Sequence, residues 1–207
     1  MDDRGRAVAA FDFDGTITRK DTLGPFLTHY MGRRAMLRAG LPHAHRLGAA
    51  AIGRADRDVA KERYLVSLLA GRAADALVAA GAEYAHRVLD RADFNPEVVD
   101  RMVWHAGLGH EIVVISASLA VYVAPVVASL GAHATFATEV EVVDGRLTGR
   151  LTGGNVRAAN KVARLATWLR GEPAEVWAYG DSAGDADLLA AADHPHLVRR
   201  GRIEPQR

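Results

Sequence analysis

The sequence predicts an α/β protein: a doubly wound, mostly parallel core sheet flanked by helices, with an inserted helical cap. Three observations carry this expectation. Short, continuous apolar runs recur at residues 7–11, 111–115 and 175–179, and each stops at a polar turn, as buried parallel strands do at their carboxyl ends. Helical patterns lie between the runs. Residues 21–90 differ from the rest, being rich in Ala, Leu and Arg without a strand pattern.

The elements follow in order. Ala7-Val8-Ala9-Ala10-Phe11 forms the first expected strand and delivers Asp12-Phe13-Asp14-Gly15-Thr16. In residues 21–90, Gly32, Gly40-Leu41-Pro42, Gly53 and Gly71 mark off roughly four helical pieces, the expected cap. Residues 1–20 and 91–207 are the expected core. Asn95-Pro96-Glu97 provides an N-cap with Pro at the first helical position and predicts a helix to about residue 105. The β-branched run at 111–115 ends at Ser116-Ala117-Ser118. Asp144-Gly145, between 139–143 and 146–151, is a hairpin signal. Residues 158–170 place Val162, Leu165, Ala166 and Leu169 on one stripe, with Gly171 suited to the C′ position. The run at 175–179 ends at Gly180-Asp181-Ser182. Ligands of doubly wound sheets gather outside the carboxyl ends of the strands, so the three polar loops are candidates for one site.

Composition narrows the function. A chain of 207 residues, 49% apolar and 25% charged, suits a globular core with one insert. Its 26 basic and 25 acidic residues give +1, which argues against a nucleic-acid-coating protein, and nucleic acid is not an expected partner. The absence of Cys excludes disulfide scaffolds, thiolate zinc sites and cysteine nucleophiles. No long apolar run follows Met-Asp-Asp-Arg-Gly-Arg, so a cytoplasmic protein is expected. Within residues 19–54, Arg19, Lys20, Arg33, Arg34, Arg38, Arg46 and Arg54 face one acid, Asp21, a local balance of 7 − 1 = +6. That stretch reads equally as a solvated helix face or as a field drawing in an anionic substrate or acidic surface, a membrane included.

Chemistry concentrates in the loops. Asp12 and Asp14 follow a buried strand at close spacing, and two crowded carboxylates need a cation or a shared proton. Phosphoryl transfer uses such a pair, one carboxylate attacking phosphorus while the other handles the leaving-group proton. An Asx-turn with a solvated second Asp is the structural alternative. Gly15 permits the turn, and Thr16 offers a hydroxyl and an N–H to a phosphate. Asp181 and Asp185 add carboxylates after another strand, a donor set that suits Mg2+. The Ser116 hydroxyl and the Lys161 amine, in a first helical turn, could hold phosphoryl oxygens.

Taken in order, Asp12-Phe13-Asp14-Gly15-Thr16, Ser116, Lys161 and Gly180-Asp181 with Asp185 resemble the motifs of the haloacid dehalogenase superfamily. A helical insert between the first two resembles its phosphoserine-phosphatase-like branch, subfamily IB. The resemblance spans nearly the whole chain and implies a Rossmann-like core with a C1-type cap. It implies a Mg2+-dependent phosphomonoester hydrolase, with Asp12 as the nucleophile that becomes an aspartyl-phosphate and Asp14 as general acid, then base. It further implies Mg2+ held by the Asp12 carboxylate, the Asp14 backbone carbonyl and Asp181, with Asp185 supporting the metal and orienting Lys161. Ser116 and Lys161 would grip the transferred phosphoryl group.

Departures from the branch bear on the substrate. Asp21 stands where phosphoserine phosphatases carry Glu, Leu65 where a carboxylate-binding Arg is expected, and Gly184 in place of an Asn; Lys61 and Arg63 lie near Leu65. A small phosphorylated metabolite other than phosphoserine is expected, with Asp21, Lys61, Arg63 and Ser118 as candidate substrate contacts. The alternatives are a regulatory module of the same fold, whose basic cap binds an anionic partner, and a phosphotransferase. Gly107-Leu108-Gly109 precedes a strand and is no dinucleotide loop. His110-Glu111 lacks the second His of a metalloprotease helix. Most of the scattered histidines, His43 and His45 among them, read as surface residues, and Trp104, Trp168 and Trp177 as core or core-edge packing.

Overall fold

Alternating strands and helices along the chain build the expected layered architecture; the computed structural model describes residues 5–40 and 57–205. The central strand β1 (Arg6–Phe11) is followed by α1 (Leu23–Met31), α2 (Arg33–Gly40), α3 (Arg57–Leu69) and α4 (Ala74–Arg91). The chain continues through α5 (Pro96–Gly107), β2 (Glu111–Leu119), α6 (Ala120–Ser129), β3 (Ala134–Val143) and β4 (Arg146–Thr152). It ends with α7 (Ala159–Leu169), β5 (Ala174–Gly180), α8 (Ala186–Ala191), β6 (His194–Arg199) and β7 (Arg202–Ile203). The seven strands form one sheet in the order β4-β3-β2-β1-β5-β6-β7, parallel from β3 to β6 and closed at each edge by an antiparallel hairpin strand.

Burial explains why β1 is central. Val8, Ala9, Ala10 and Phe11 are all inaccessible to solvent, as an interior parallel strand requires. Alternation splits the core between the two sheet faces. Val8, Ala10, Val113, Ile115 and Ala178 pack with Leu165 and Leu188 of α7 and α8. Ala9, Phe11, Ile112, Val114 and Tyr179 share the other cluster with α5, α6 and the insert. Pairing of Val8 with Glu111 and Val176, and of Phe11 with Val114 and Tyr179, brings the ends of β1, β2 and β5 to one edge. The loops of Asp12, Ser116 and Asp181 therefore emerge side by side.

The insert is joined to the sheet by shared apolar packing. Phe26, Leu27, Leu65, Leu69, Leu77 and Tyr84 belong to the cluster that contains Phe11, Phe13 and Tyr122. Two glycines permit the closest approaches: a Cβ at Gly81 of α4 would lie 2.5 Å from the Val121 carbonyl oxygen, and one at Gly149 of β4 would lie 2.3 Å from Cα of Val66. No helix of the described residues is long and apolar enough to cross a membrane.

Several expectations need correction. β2 runs on to Leu119, with a register irregularity between Ser116 and Leu119, instead of ending at residue 115. Residues 134–138, α6, β6 and β7 have no counterpart among the expected elements; the first of these extends β3 into a parallel partner of β2. The hairpin is as expected, with Asp144 (φ 49°) and Gly145 (φ 72°) both left-handed. On α7, Leu165 is buried and Val162 and Leu169 half-buried, but Ala166 faces solvent. Trp104 is 48% exposed, not core. His105 is fully buried, hydrogen-bonded to the Tyr179 hydroxyl and to His110, because an aromatic cluster with Trp177 encloses it. Arg33 and Arg34 are exposed, while Arg46, Arg54, His43 and His45 lie outside the described residues.

Candidate active site

At the carboxyl edge of the sheet, the strand-end loops and the insert enclose a cavity of about 540 Å³. Asp12 leaves β1 with its N–H still donating to the Tyr179 carbonyl (2.9 Å), so the strand register fixes its position. The chain then turns through Gly15, whose φ of +82° favours glycine and where a Cβ would lie 2.3 Å from Asp181 Oδ2. Both constraints explain the glycine. The Thr18 N–H donates to the Phe13 carbonyl (2.9 Å) and closes the turn.

The two aspartates after β1 face different partners. Asp12 Oδ1 accepts a hydrogen bond from Lys161 Nζ at 2.5 Å. Asp14 Oδ1 accepts from the Thr22 N–H (2.8 Å) and hydroxyl (2.6 Å), and its Oδ2 accepts from the Ser118 hydroxyl. The Thr22 hydroxyl also meets that of Tyr122 at 3.0 Å. Burial raises the Asp12 pKa to about 6, reinforced by Asp185 and Asp14 and opposed by Lys161. Burial likewise lifts Asp14 to about 6 against the hydrogen bonds from Ser118 and Thr22.

Lys161 enters the cavity floor from the first turn of α7. It is 2% exposed and bridges Asp12 to Asp185, donating to Asp185 Oδ1 at 2.6 Å. The other Asp185 oxygen accepts from the Ser182 N–H (3.0 Å) and hydroxyl (2.8 Å). Gly180 clears space for Asp185, since a Cβ there would lie 2.4 Å from Cβ of Asp185. The Ala158 N–H donates to the Gly184 carbonyl (2.8 Å) and its carbonyl accepts from Lys161 N–H (2.9 Å), which ties the Lys161 turn to the Asp181–Asp185 loop. Burial works against the Lys161 ammonium, but Asp12 and Asp185 outweigh it and hold its pKa above the ordinary lysine value.

Asp12, Asp181 and Asp185 each place a carboxylate oxygen within 4.8 Å of the others. An all-oxygen donor set of this kind fits a hard cation such as Mg2+. The crowding supports the fit: burial, together with the charges of Asp12 and Asp185, raises Asp181 to about 6. The Asp14 carboxylate is held by Thr22 and Ser118 outside this trio, so only its backbone carbonyl is left for the expected metal set.

Among the remaining expected site residues, Ser116 and Ser118 are buried and line the cavity, the Ser116 hydroxyl accepting from the Ser118 N–H at 3.0 Å. Asp21 lines it from an exposed position. Thr16 does not line it: the side chain is fully buried and its hydroxyl has no hydrogen-bond partner among the described residues. Lys61 reaches the cavity, but its amine donates to the Ala117 carbonyl and to Asn155 Oδ1 (2.7 Å). Arg63 is exposed and outside the cavity wall, and Leu65 is buried in the core. Asn155 and Arg157 also line the cavity and Thr22 holds Asp14; none of the three carries a periodic or motif signal in the sequence.

Protein CicA of Caulobacter vibrioides is 32% identical over 199 residues, covering 94% of this chain and 87% of that protein. "Probable phosphatase Rv3661" of Mycobacterium tuberculosis is 29% identical over 211 residues, covering 96% and 71%. A solved phospho-aspartyl intermediate analogue of phosphoserine phosphatase shares the fold, with a TM-score of 0.60 at 18% identity over 91% of this chain and 84% of that one. Residues 9–190 match the family described as haloacid dehalogenase-like hydrolase, and the chain belongs to that family.

Proposed function

We propose that the protein is a phosphatase that hydrolyses small phosphomonoesters through a phosphorylated Asp12. The observation that carries this reading is the convergence of Asp12, Asp14, Ser116 and Lys161 on one cavity beside a carboxylate trio. The phosphatase name of the Mycobacterium relative supports it. Bound Mg2+, held by Asp12, Asp181 and Asp185, would neutralise charge on the phosphate oxygens.

An Asp12 carboxylate oxygen forms a bond to phosphorus as the P–O bond to the leaving group breaks. The departing oxygen takes the proton of Asp14, whose pKa of about 6 leaves part of it protonated near neutrality. Asp14, now ionised, takes a proton from water as that water attacks phosphorus, freeing inorganic phosphate and regenerating Asp12. Lys161 and Ser116 hold the phosphoryl oxygens, so catalysis is chiefly positioning and charge neutralisation. The helical insert walls the leaving-group side of the cavity, and a small phosphorylated metabolite is its partner in this reading.

Replacement of Asp12 by Asn tests the covalent route. Turnover of p-nitrophenyl phosphate should fall by at least about a thousandfold while the folded circular-dichroism spectrum is retained. Survival of most of the activity would exclude Asp12 as nucleophile.

A further inference from the structure

Five cationic side chains line the cavity: Arg19, Lys20, Lys61, Arg157 and Lys161. Three are engaged within the protein. Lys161 is held by Asp12 and Asp185, Lys61 by the Ala117 carbonyl and Asn155, and Arg19 by the Phe94 carbonyl. Lys20 is exposed. Arg157 is different: it is half-buried, and its guanidinium makes no hydrogen bond or ion pair with a described residue. Its side chain lies across Gly184, where a Cβ would come within 3.1 Å of Arg157 Nε and 3.2 Å of its Cγ. Gly184 thus clears the space that the arginine occupies. Of the two acids on the insert side of the cavity, Asp58 accepts from Asn155 Nδ2 (2.7 Å) and Asp21 accepts from the Gly24 N–H (3.2 Å).

We infer that Arg157 is a specificity-determining residue that selects phosphomonoesters whose leaving group carries a second anionic group, a carboxylate or another phosphate. The inference rests on the phosphatase reading above and adds the substrate class to it. The phosphoryl floor already holds its own cation in Lys161, so the Arg157 fork on the wall is available to the rest of the substrate. The Arg157 guanidinium has no carboxylate partner among the described residues, and a carboxylate or phosphate can accept two parallel hydrogen bonds from it.

The test compares four esters on the wild-type chain: 2-phosphoglycolate, propane-1,3-diyl bisphosphate, propyl phosphate and phosphoethanolamine. With Mg2+ present, one or both esters bearing a second anion should exceed propyl phosphate in kcat/KM by about tenfold or more, and phosphoethanolamine should not. Which of the two leads distinguishes carboxylate from phosphate. In Arg157→Gln the ratio of the leading ester to propyl phosphate should fall about tenfold, mainly through KM. Gly184→Asn, which crowds the arginine without removing it, should move the ratio the same way. An unchanged ratio in Arg157→Gln, or a wild-type preference for phosphoethanolamine, overturns the inference while leaving the phosphatase reading intact. Should the wild type hydrolyse none of the esters, the phosphatase reading fails instead. Calorimetric binding of 2-phosphoglycolate and the bisphosphate then decides the inference, which requires about tenfold weaker binding of at least one of them to Arg157→Gln.

Discussion

Two lysines reach the same cavity from opposite sides, and their surroundings differ in kind. Lys161, from the core helix α7, is 2% exposed and lies between two carboxylates, Asp12 and Asp185, which hold it charged. Lys61, from the insert helix α3, donates to neutral oxygens, the Ala117 carbonyl and Asn155 Oδ1, and burial lowers its pKa to about 8. The contrast shows that burial alone does not set a lysine's role. The floor of the cavity is a set of mutually compensating charges, while its insert side is a polar seam laid over apolar packing.

The strongest way to break that contrast is to remove the central charge. Lys161→Met leaves Asp12 and Asp185 crowded, buried and without their cation, which should cost about 3–5 kcal/mol of stability at neutral pH. Urea denaturation measures it. The sign of the pH dependence sharpens the test. The folded-state pKa of Asp12, already about 6 and thus above its ordinary value, should rise further in the variant. Wild type takes up the same proton only at about 6, so the deficit should shrink as pH falls from about 8 to about 6 and stay level below that. A deficit that is flat over that range would mean the two carboxylates do not depend on Lys161 for compensation.

The seam should respond less, and on the alkaline side. Lys61→Met takes the lysine donor from the Ala117 carbonyl and leaves Asn155 Oδ1 with the Thr138 hydroxyl, a loss of about 1–3 kcal/mol offset in part by no longer burying an ammonium. The folded pKa of about 8 lies below the ordinary lysine value of 10.5. Between those values the unfolded chain binds the proton that the folded protein has lost, so Lys61 makes wild-type stability rise with pH across this window. The penalty is absent above the upper value and complete below the lower one. Wild type should therefore gain about 2–3 kcal/mol on Lys61→Met between pH 8 and 10.5, read from paired denaturation midpoints.

This division also explains what the sequence made legible. Strands 7–11, 111–115 and 175–179 announce themselves because parallel strands buried on both faces are continuous apolar runs, and the acids follow directly where those runs stop. The insert side obeys helix geometry that a short alignment does not capture. On α3, Lys61 and Leu65 are four residues apart and share a face, so burial of Leu65 carries Lys61 inward, whereas Arg63, about 200° round the helix from either, faces solvent. Thr16 misses the cavity because the Gly15 turn sends its side chain into the core. Asn155 and Arg157 lie in a loop between β4 and α7, where no periodicity marks which side chain turns inward. β6 gives no strand signal because its polar opening, His194-Pro195-His196, hides a parallel strand whose apolar contribution is concentrated in Val198.

The smallest expected effect lies at the joint that carries Lys161. Ala158 has φ 51° and ψ −131°, a backbone region that residues with a Cβ rarely adopt, and its two backbone hydrogen bonds to Gly184 and Lys161 hold it there. Strain of this kind costs on the order of 1–3 kcal/mol. Ala158→Gly removes the Cβ that causes it and keeps both hydrogen bonds, while the greater freedom of glycine in the unfolded chain takes back about 0.5–1 kcal/mol. The balance favours the variant by roughly 1 kcal/mol, or about 2–4 °C in melting temperature for a chain of this size. Turnover separates two meanings of the strain. If the strained conformation only closes the turn, Ala158→Gly melts higher and works as well as wild type. If it stiffens the support under the lysine, the variant should melt higher yet turn over more slowly, and a lower melting temperature would show that the hydrogen bonds at Ala158 already offset the strain.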